Sequence, residues 1–224
     1  MKLALEIPLN YWDIFFPLED FHYVLIDFLL KNKAYREKYT NLPKDKKDVW
    51  LDNSFNELKV SAPLDHILKG IDILNPTHVV TLEKATPSDN LVAIEKTLKE
   101  FSKRGIKVKT VGCWKGTKWE VKLLKEMVDI IGFPYDLNRV YGLDQIDSRL
   151  THYFGFKNLD ELKKNPPNSL DTSVPIRAAM LGISLSERKR RPKHLPLYTP
   201  SLTLSSSQIE LAKENIEVIK SCLT

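Results

Sequence analysis

The sequence predicts an α/β protein built as a compact TIM-like (β/α) barrel, and two patterns carry that reading. Short β-rich runs alternate along the chain with amphipathic helical stretches, the signature of a mostly parallel sheet covered by helices. No Gly-rich phosphate loop follows any strand, which speaks against a doubly wound open sheet, the structural alternative. Seven strand-like runs are visible in 224 residues. Typical barrels run to about 250 residues, so the expectation is a small, possibly incomplete barrel with its eighth strand unassigned.

The runs are residues 2–8 (KLALEIP), 48–54 (DVWLDNS), 77–83 (THVVTLE), 106–112 (IKVKTVG), 129–135 (DIIGFPY), 151–156 (THYFGF) and 168–174 (NSLDTSV). Between them, residues 88–105 place Leu91, Ile94, Leu98 and Phe101 at helical spacing, with Asp89 as a cap and Gly105 as a stop. Residues 117–128 and 158–165 behave alike, the second with Asn158 as N-cap. A C-terminal helix follows from Ile209, Ala212, Ile216 and Ile219 on one face. Residues 186–202 are basic, proline-containing and irregular, and the whole of 1–224 reads as one barrel domain.

Composition narrows the function classes. Hydrophobic residues make up 42% and charged residues 28%, ordinary for a soluble globular protein. The formal charge of +5 favours an anionic partner weakly. Two cysteines, Cys113 and Cys222, exclude a disulfide framework and a cysteine-rich zinc site. No signal peptide is visible and no apolar run approaches the roughly 20 residues of a membrane span, so a cytoplasmic location and no membrane partner are expected. His66 and His152 lack a second histidine at ligand spacing, and no metal is expected.

In a barrel, functional side chains collect at the carboxyl ends of strands. Those positions hold Asp52 and Asn53, then Glu83 and Lys84, then Lys115, then the GFPY stretch with Gly132, Phe133 and Tyr135, and finally Asp171. Each carboxylate alone is accounted for by a cap or a rim ion pair. Three at equivalent positions suit carboxylate chemistry, with one acid as nucleophile and another moving protons.

Several local motifs resemble the tRNA-guanine transglycosylase superfamily. LEKATP (82–87) is similar to its FDECTP motif, with Glu83 in place of the aspartate. LDTSVPIR (170–177) is similar to the nucleophile motif FDCVMPTR and keeps the acid, the proline and the arginine. DNSFNE (52–57), GCWKGT (112–117) and IGFPY (131–135) are looser matches, and the five together cover roughly residues 48–180. The family's Cys₃His zinc subdomain has no counterpart, which makes short phage-type DNA-guanine transglycosylases the nearer likeness.

That resemblance implies exchange of guanine for a 7-deazaguanine derivative in DNA through a covalent aspartyl-glycosyl intermediate. Asp171 would be the nucleophile and Asp52 the proton carrier. Glu83, Asn53, Lys115, Gly132, Phe133 and Tyr135 would bind the base. Arg177, with Arg188, Lys189, Arg190, Arg191 and Lys193, would meet phosphates of a flipped-out strand. The deazaguanine is a co-substrate, no cofactor is implied, and a helper protein is left open. The alternatives are the same exchange on tRNA, a base-releasing glycosidase, and a non-catalytic nucleic-acid-binding subunit.

Overall fold

A computed structural model describes residues 2–42, 48–143, 146–147, 150–187 and 203–223. Its strands are β1 (Lys2–Leu5), β2 (His22–Leu25), β3 (Val49–Asp52), β4 (His78–Val80), β5 (Lys109–Cys113), β6 (Ile130–Pro134), β7 (Thr151–Phe154) and β8 (Ser169–Thr172). The helices are α1 (Trp12–Phe15), α2 (Ile26–Lys31), α3 (Lys33–Thr40), α4 (Phe55–Leu58), α5 (Leu64–Leu74) and α6 (Pro87–Lys103). They continue with α7 (Lys118–Met127), α8 (Val140–Leu143), α9 (Leu159–Lys164), α10 (Val174–Met180) and α11 (Ser206–Leu223). The strands neighbour one another in the order β1-β8-β7-β6-β5-β4-β3-β2, and every described pairing is parallel. This is the TIM-like (β/α)8 fold.

The eighth strand is β2. Its four residues, HYVL, are all buried, and the chain turns into α2 at the next residue without a glycine, proline or asparagine to mark the change. A strand that runs straight into a helix gives no punctuation in the sequence.

The chain divides into two compact units, Phe21–Thr151 and the combination of Met1–Asp20 with His152–Thr224. In the continuous unit, β2 through β6 pair in sequence. Leu51 and Gly70 show how helix meets sheet. A Cβ on Gly70 of α5 would lie 2.9 Å from Leu51 Cδ2, so the missing side chain lets α5 close onto β3. On the opposite face of β3, Trp50 stacks on His78 at 4.2 Å between centroids. α6 opens earlier than the Asp89 cap read from the sequence: Thr86 is the N-cap, its hydroxyl accepting the Asp89 N–H, with proline in the first turn.

In the two-segment unit, β1 pairs with β8 and β8 with β7. α11 buries Ala212, Ile216, Ile219 and Cys222. Asn215, fully buried on α11, joins the segment around α10. Its Oδ1 accepts the Leu185 N–H at 2.7 Å, and its amide donates to the Ile183 carbonyl at 3.1 Å and the Pro175 carbonyl at 3.3 Å. A buried amide with these partners satisfies main-chain groups where the helix ends.

Candidate active site

The carboxyl ends of β3, β4 and β5 bring Asn53, Glu83 and Lys115 into one network, with Asp52 at the same end of the strands. Asp52 is the last residue of β3, and Asn53 follows it. Glu83 lies three residues past β4, and Lys115 two past β5. Because parallel strands end on one side of a sheet, neighbours in the ladder present consecutive loops together.

Lys115 and Glu83 form an ion pair between Nζ and Oε1, and each side chain is 9% exposed. The other carboxylate oxygen faces the Asn53 amide at 3.4 Å, while that amide donates a shorter bond, 2.7 Å, to the Thr81 carbonyl. Phe55 lies beneath the ammonium, 4.6 Å from ring centroid to Nζ, a favourable place for a cation. Ser61 holds the Glu83 main chain from both sides, accepting its N–H at 2.6 Å and donating to its carbonyl at 3.0 Å. The loop carrying Phe55 and Ser61 is closed at its base by Ala62 N–H to the Asn53 carbonyl, 2.9 Å.

Asp52 is fixed separately. The Tyr23 hydroxyl donates to Oδ1 at 2.6 Å, and the Ser54 N–H donates to Oδ2 at 2.7 Å. Ser54 takes a left-handed conformation, φ 54°, and its hydroxyl accepts the Asp27 N–H at 3.1 Å. Non-glycine residues in that region cost free energy and cluster at functional sites.

The electrostatics follow from burial. Burial lowers the Lys115 pKa, but the Cys113 thiolate that forms at high pH and the Glu83 carboxylate, which also accepts its hydrogen bond, raise it above its ordinary value. The neighbouring Cys113 thiol is held far above the usual range, chiefly by burial and next by the Glu83 charge. Glu120 on α7 is raised by burial, although the Lys115 N–H donates to it at 2.8 Å and lowers it again in part. Lys115 is therefore an ammonium at neutral pH with one donor engaged by Glu83 and the others directed elsewhere, and Cys113 is a thiol.

The remaining predicted residues sit differently. Gly132 is inside β6, opposite Cys113. Phe133 is fully buried and packs 5.2 Å from the Trp114 ring, and Tyr135 is half-buried beyond the strand end. In the two-segment unit, Asp171 Oδ1 meets His152 Nε2 at 3.0 Å, and His152 Nδ1 meets the Ser169 hydroxyl at 2.9 Å. Arg177 is buried, with a guanidinium nitrogen 3.7 Å from a Glu6 carboxylate oxygen. Arg188, Lys189, Arg190, Arg191 and Lys193 lie outside the described residues.

Sequence reasoning missed Tyr23, Ser61 and Phe55 as site residues. Tyr23 was hidden with its strand. Ser61 and Phe55 carry no signal of their own, since only the closed loop brings them to Glu83 and Lys115. Among the described residues, no group of three His, Cys, Asp or Glu side chains is placed to hold a metal ion, and no helix is long and apolar enough to cross a membrane.

Several solved structures are similar to this chain. A 3-hexulose-6-phosphate synthase from Salmonella typhimurium superposes with a TM-score of 0.55 at 14% identity over 99% of both chains. An N-(5'-phosphoribosyl)anthranilate isomerase from Pyrococcus furiosus gives 0.51 at 13% identity, again over 99% of both. The YdjI aldolase from Escherichia coli K12 gives 0.53 at 8% identity, over 99% of this chain and 88% of the aldolase. The fold is confirmed. No family model matches the chain, and no curated protein matches it in sequence.

These findings correct the transglycosylase expectation. The neighbours are synthase, isomerase and aldolase barrels, and a chain carrying the five motifs of a transglycosylase family matches no family model. Base exchange on DNA is withdrawn, and with it the tRNA, glycosidase and binding-subunit alternatives and the glycosyltransferase class. The local chemistry agrees. Glu83, assigned to read a base edge, is taken up by the Lys115 ammonium and the Asn53 amide. Motif likeness over five to eight residues did not identify the family.

Proposed function

We propose that the chain is an enzyme acting on a small oxo compound, in the isomerase or carbon–carbon lyase class. Lys115 polarises the carbonyl oxygen, and Glu83 moves a proton at the adjacent carbon. The observation that carries this reading is the buried Lys115–Glu83 pair at the ends of β5 and β4. The likeness to synthase, isomerase and aldolase barrels supports it at the level of architecture.

The step balances within the pair. The substrate carbonyl oxygen accepts a hydrogen bond from a Lys115 N–H that Glu83 does not use. Glu83 takes the proton from the neighbouring carbon through Oε2, whose bond to Asn53 is long at 3.4 Å. The electrons of the broken C–H bond move into the new C=C bond, and the oxygen becomes an enolate beside the ammonium. Return of the proton to the other carbon, with the hydroxyl proton passing from one oxygen to the other, isomerises an α-hydroxy carbonyl. In the lyase case Glu83 takes the β-hydroxyl proton, the O–H electrons form the new carbonyl, and the C–C bond breaks to the enolate, which Glu83 then protonates at carbon. The enolate charge develops where a preorganised cation already stands, in a site from which water is largely removed.

Deuterium wash-in tests it. The protein is incubated in D₂O with C3–C6 aldoses and ketoses, 2-oxo acids and their phosphate esters, and exchange is followed by proton NMR. Exchange at the carbon beside the carbonyl is expected, falling about 10²–10⁴-fold in Glu83→Gln and in Lys115→Met. No exchange with any member of the panel, or unchanged exchange in Lys115→Met, overturns the proposal.

A further inference from the structure

The continuous unit holds a cleft of about 770 Å³ behind the Glu83 main chain, lined on one flank by Ser61 and Leu64 and on the other by residues of α6. Leu82 and Lys84 form its base, and Val92 and Lys96 line the α6 side. Its volume is that of a small-molecule site.

The lining is amphipathic. Val92 is 65% exposed, a large share for an apolar side chain in a concave wall, and Leu64 and Leu82 continue that surface. Lys84 and Lys96 supply two ammonium groups, and among the described residues neither has a hydrogen-bond or ion-pair partner. Two carboxylates share the wall, Asp65 and Asp89. Asp89 is committed to the cap of α6, where its Oδ2 accepts the Thr86 hydroxyl at 2.8 Å. The formal charges of the lining balance, but the Asp89 carboxylate is held at the cap of α6, so Lys84 and Lys96 offer unused donors beside an apolar strip.

We infer that this cleft binds a small amphiphilic anion. The acidic head, a carboxylate or a phosphate monoester, lies between Lys84 and Lys96, and the hydrocarbon part covers Val92, Leu64 and Leu82. The head gains charge-assisted hydrogen bonds from donors that are otherwise unused, and the tail removes exposed apolar surface from water. Ser61 lines the cleft and also brackets the Glu83 main chain, so an occupant touches the support of the proposed catalytic carboxylate. The site is defined by its own lining and stands whether or not the reaction proposed above is correct.

The test uses the full chain labelled with nitrogen-15 and four probes of equal chain length: hexanoate, hexyl phosphate, hexanol and hexylamine. Saturable shifts of the Ser61, Lys84, Val92 and Lys96 amides are expected with one or both anions. Affinity should fall about ten-fold or more in Lys84→Gln/Lys96→Gln, and also in Val92→Glu. Both lysines are exposed, so the double variant keeps the fold, and its amide spectrum verifies this. The head group is identified by which anion binds. The inference is overturned if the anions do not saturate, if hexanol or hexylamine binds as well as they do, or if the double lysine variant binds like the wild type.

Discussion

Replacing Glu83 by glutamine isolates the charge of the buried pair while keeping a carbonyl oxygen near Lys115. Both side chains are 9% exposed, so the ammonium left behind is almost fully desolvated. Breaking a buried pair by removing one partner costs about 3–5 kcal/mol. The glutamine oxygen returns part of that as a neutral hydrogen bond worth about 1 kcal/mol. A net loss of roughly 2–4 kcal/mol is expected, which moves a urea midpoint by about 1 M at a slope of 2–3 kcal/mol per molar. The raised Lys115 pKa sets the pH window. Its stabilisation is fully present below the unfolded value of about 10.4 and is lost as pH rises through the higher folded value. The difference between wild type and Glu83→Gln should thus be largest where Lys115 is charged in both proteins, and shrink as pH rises, first through the lowered Lys115 pKa of the variant. Tryptophan fluorescence during urea unfolding measures the first quantity, and the pH profile of Lys115 acylation, read by peptide mass spectrometry, measures the ammonium directly. In Glu83→Gln the acylation profile should shift to lower pH, because burial remains while the countercharge is gone. Adding Lys115→Met should recover most of the lost stability. A Glu83→Gln protein within about 0.5 kcal/mol of wild type, with an unchanged acylation profile, would refute the reasoning.

Three further outcomes follow from the same geometry. Glu120 is fully buried with a raised pKa, so its contribution is present below about 4.3 and is lost as pH rises through the folded value. The stability of Glu120→Gln relative to wild type should therefore increase with pH across that interval, and chemical denaturation at several pH values checks it. Asn215→Ala removes three main-chain bonds from a fully buried position and should cost about 2–4 kcal/mol in thermal or urea unfolding. The Cys113 thiol should resist disulfide reagents at pH 8 in the folded protein and react at once in urea, because burial disfavours its thiolate.

Much of the architecture was legible because strand and helix periods differ and the chain obeys both. Residues 88–105 read as a helix, and α6 runs Pro87–Lys103. Residues 129–135 read as a strand, and β6 runs Ile130–Pro134. β2 escaped because its boundaries carry no turn residues. The site divides in the same way. Asp52, Asn53, Glu83 and Lys115 were found by strand-end placement, a rule that depends only on topology. Tyr23, Ser61 and Phe55 depend on which loop folds over which strand, and no local pattern encodes that. The transglycosylase likeness failed for a related reason. Short motifs at strand ends record what parallel sheets commonly place there, and they do not identify the reaction.

The division of the chain bears on how the protein is made. One unit is a continuous stretch, Phe21–Thr151, whereas the other joins Met1–Asp20 to His152–Thr224. On the ribosome β1 emerges first, yet its hydrogen-bonding partner β8 is the last strand to be synthesised. β1, with Leu3, Ala4 and Leu5 buried in the finished protein, must wait without β8 while the whole of the other unit is translated. The opposite edge of β1 is covered locally. The Leu3 and Leu5 N–H groups donate to the carboxylates of Asp20 and Glu19, which follow β1 closely in the chain. Those two acids close the edge turned away from β8, so only the edge that β8 takes stays open to pairing in the meantime.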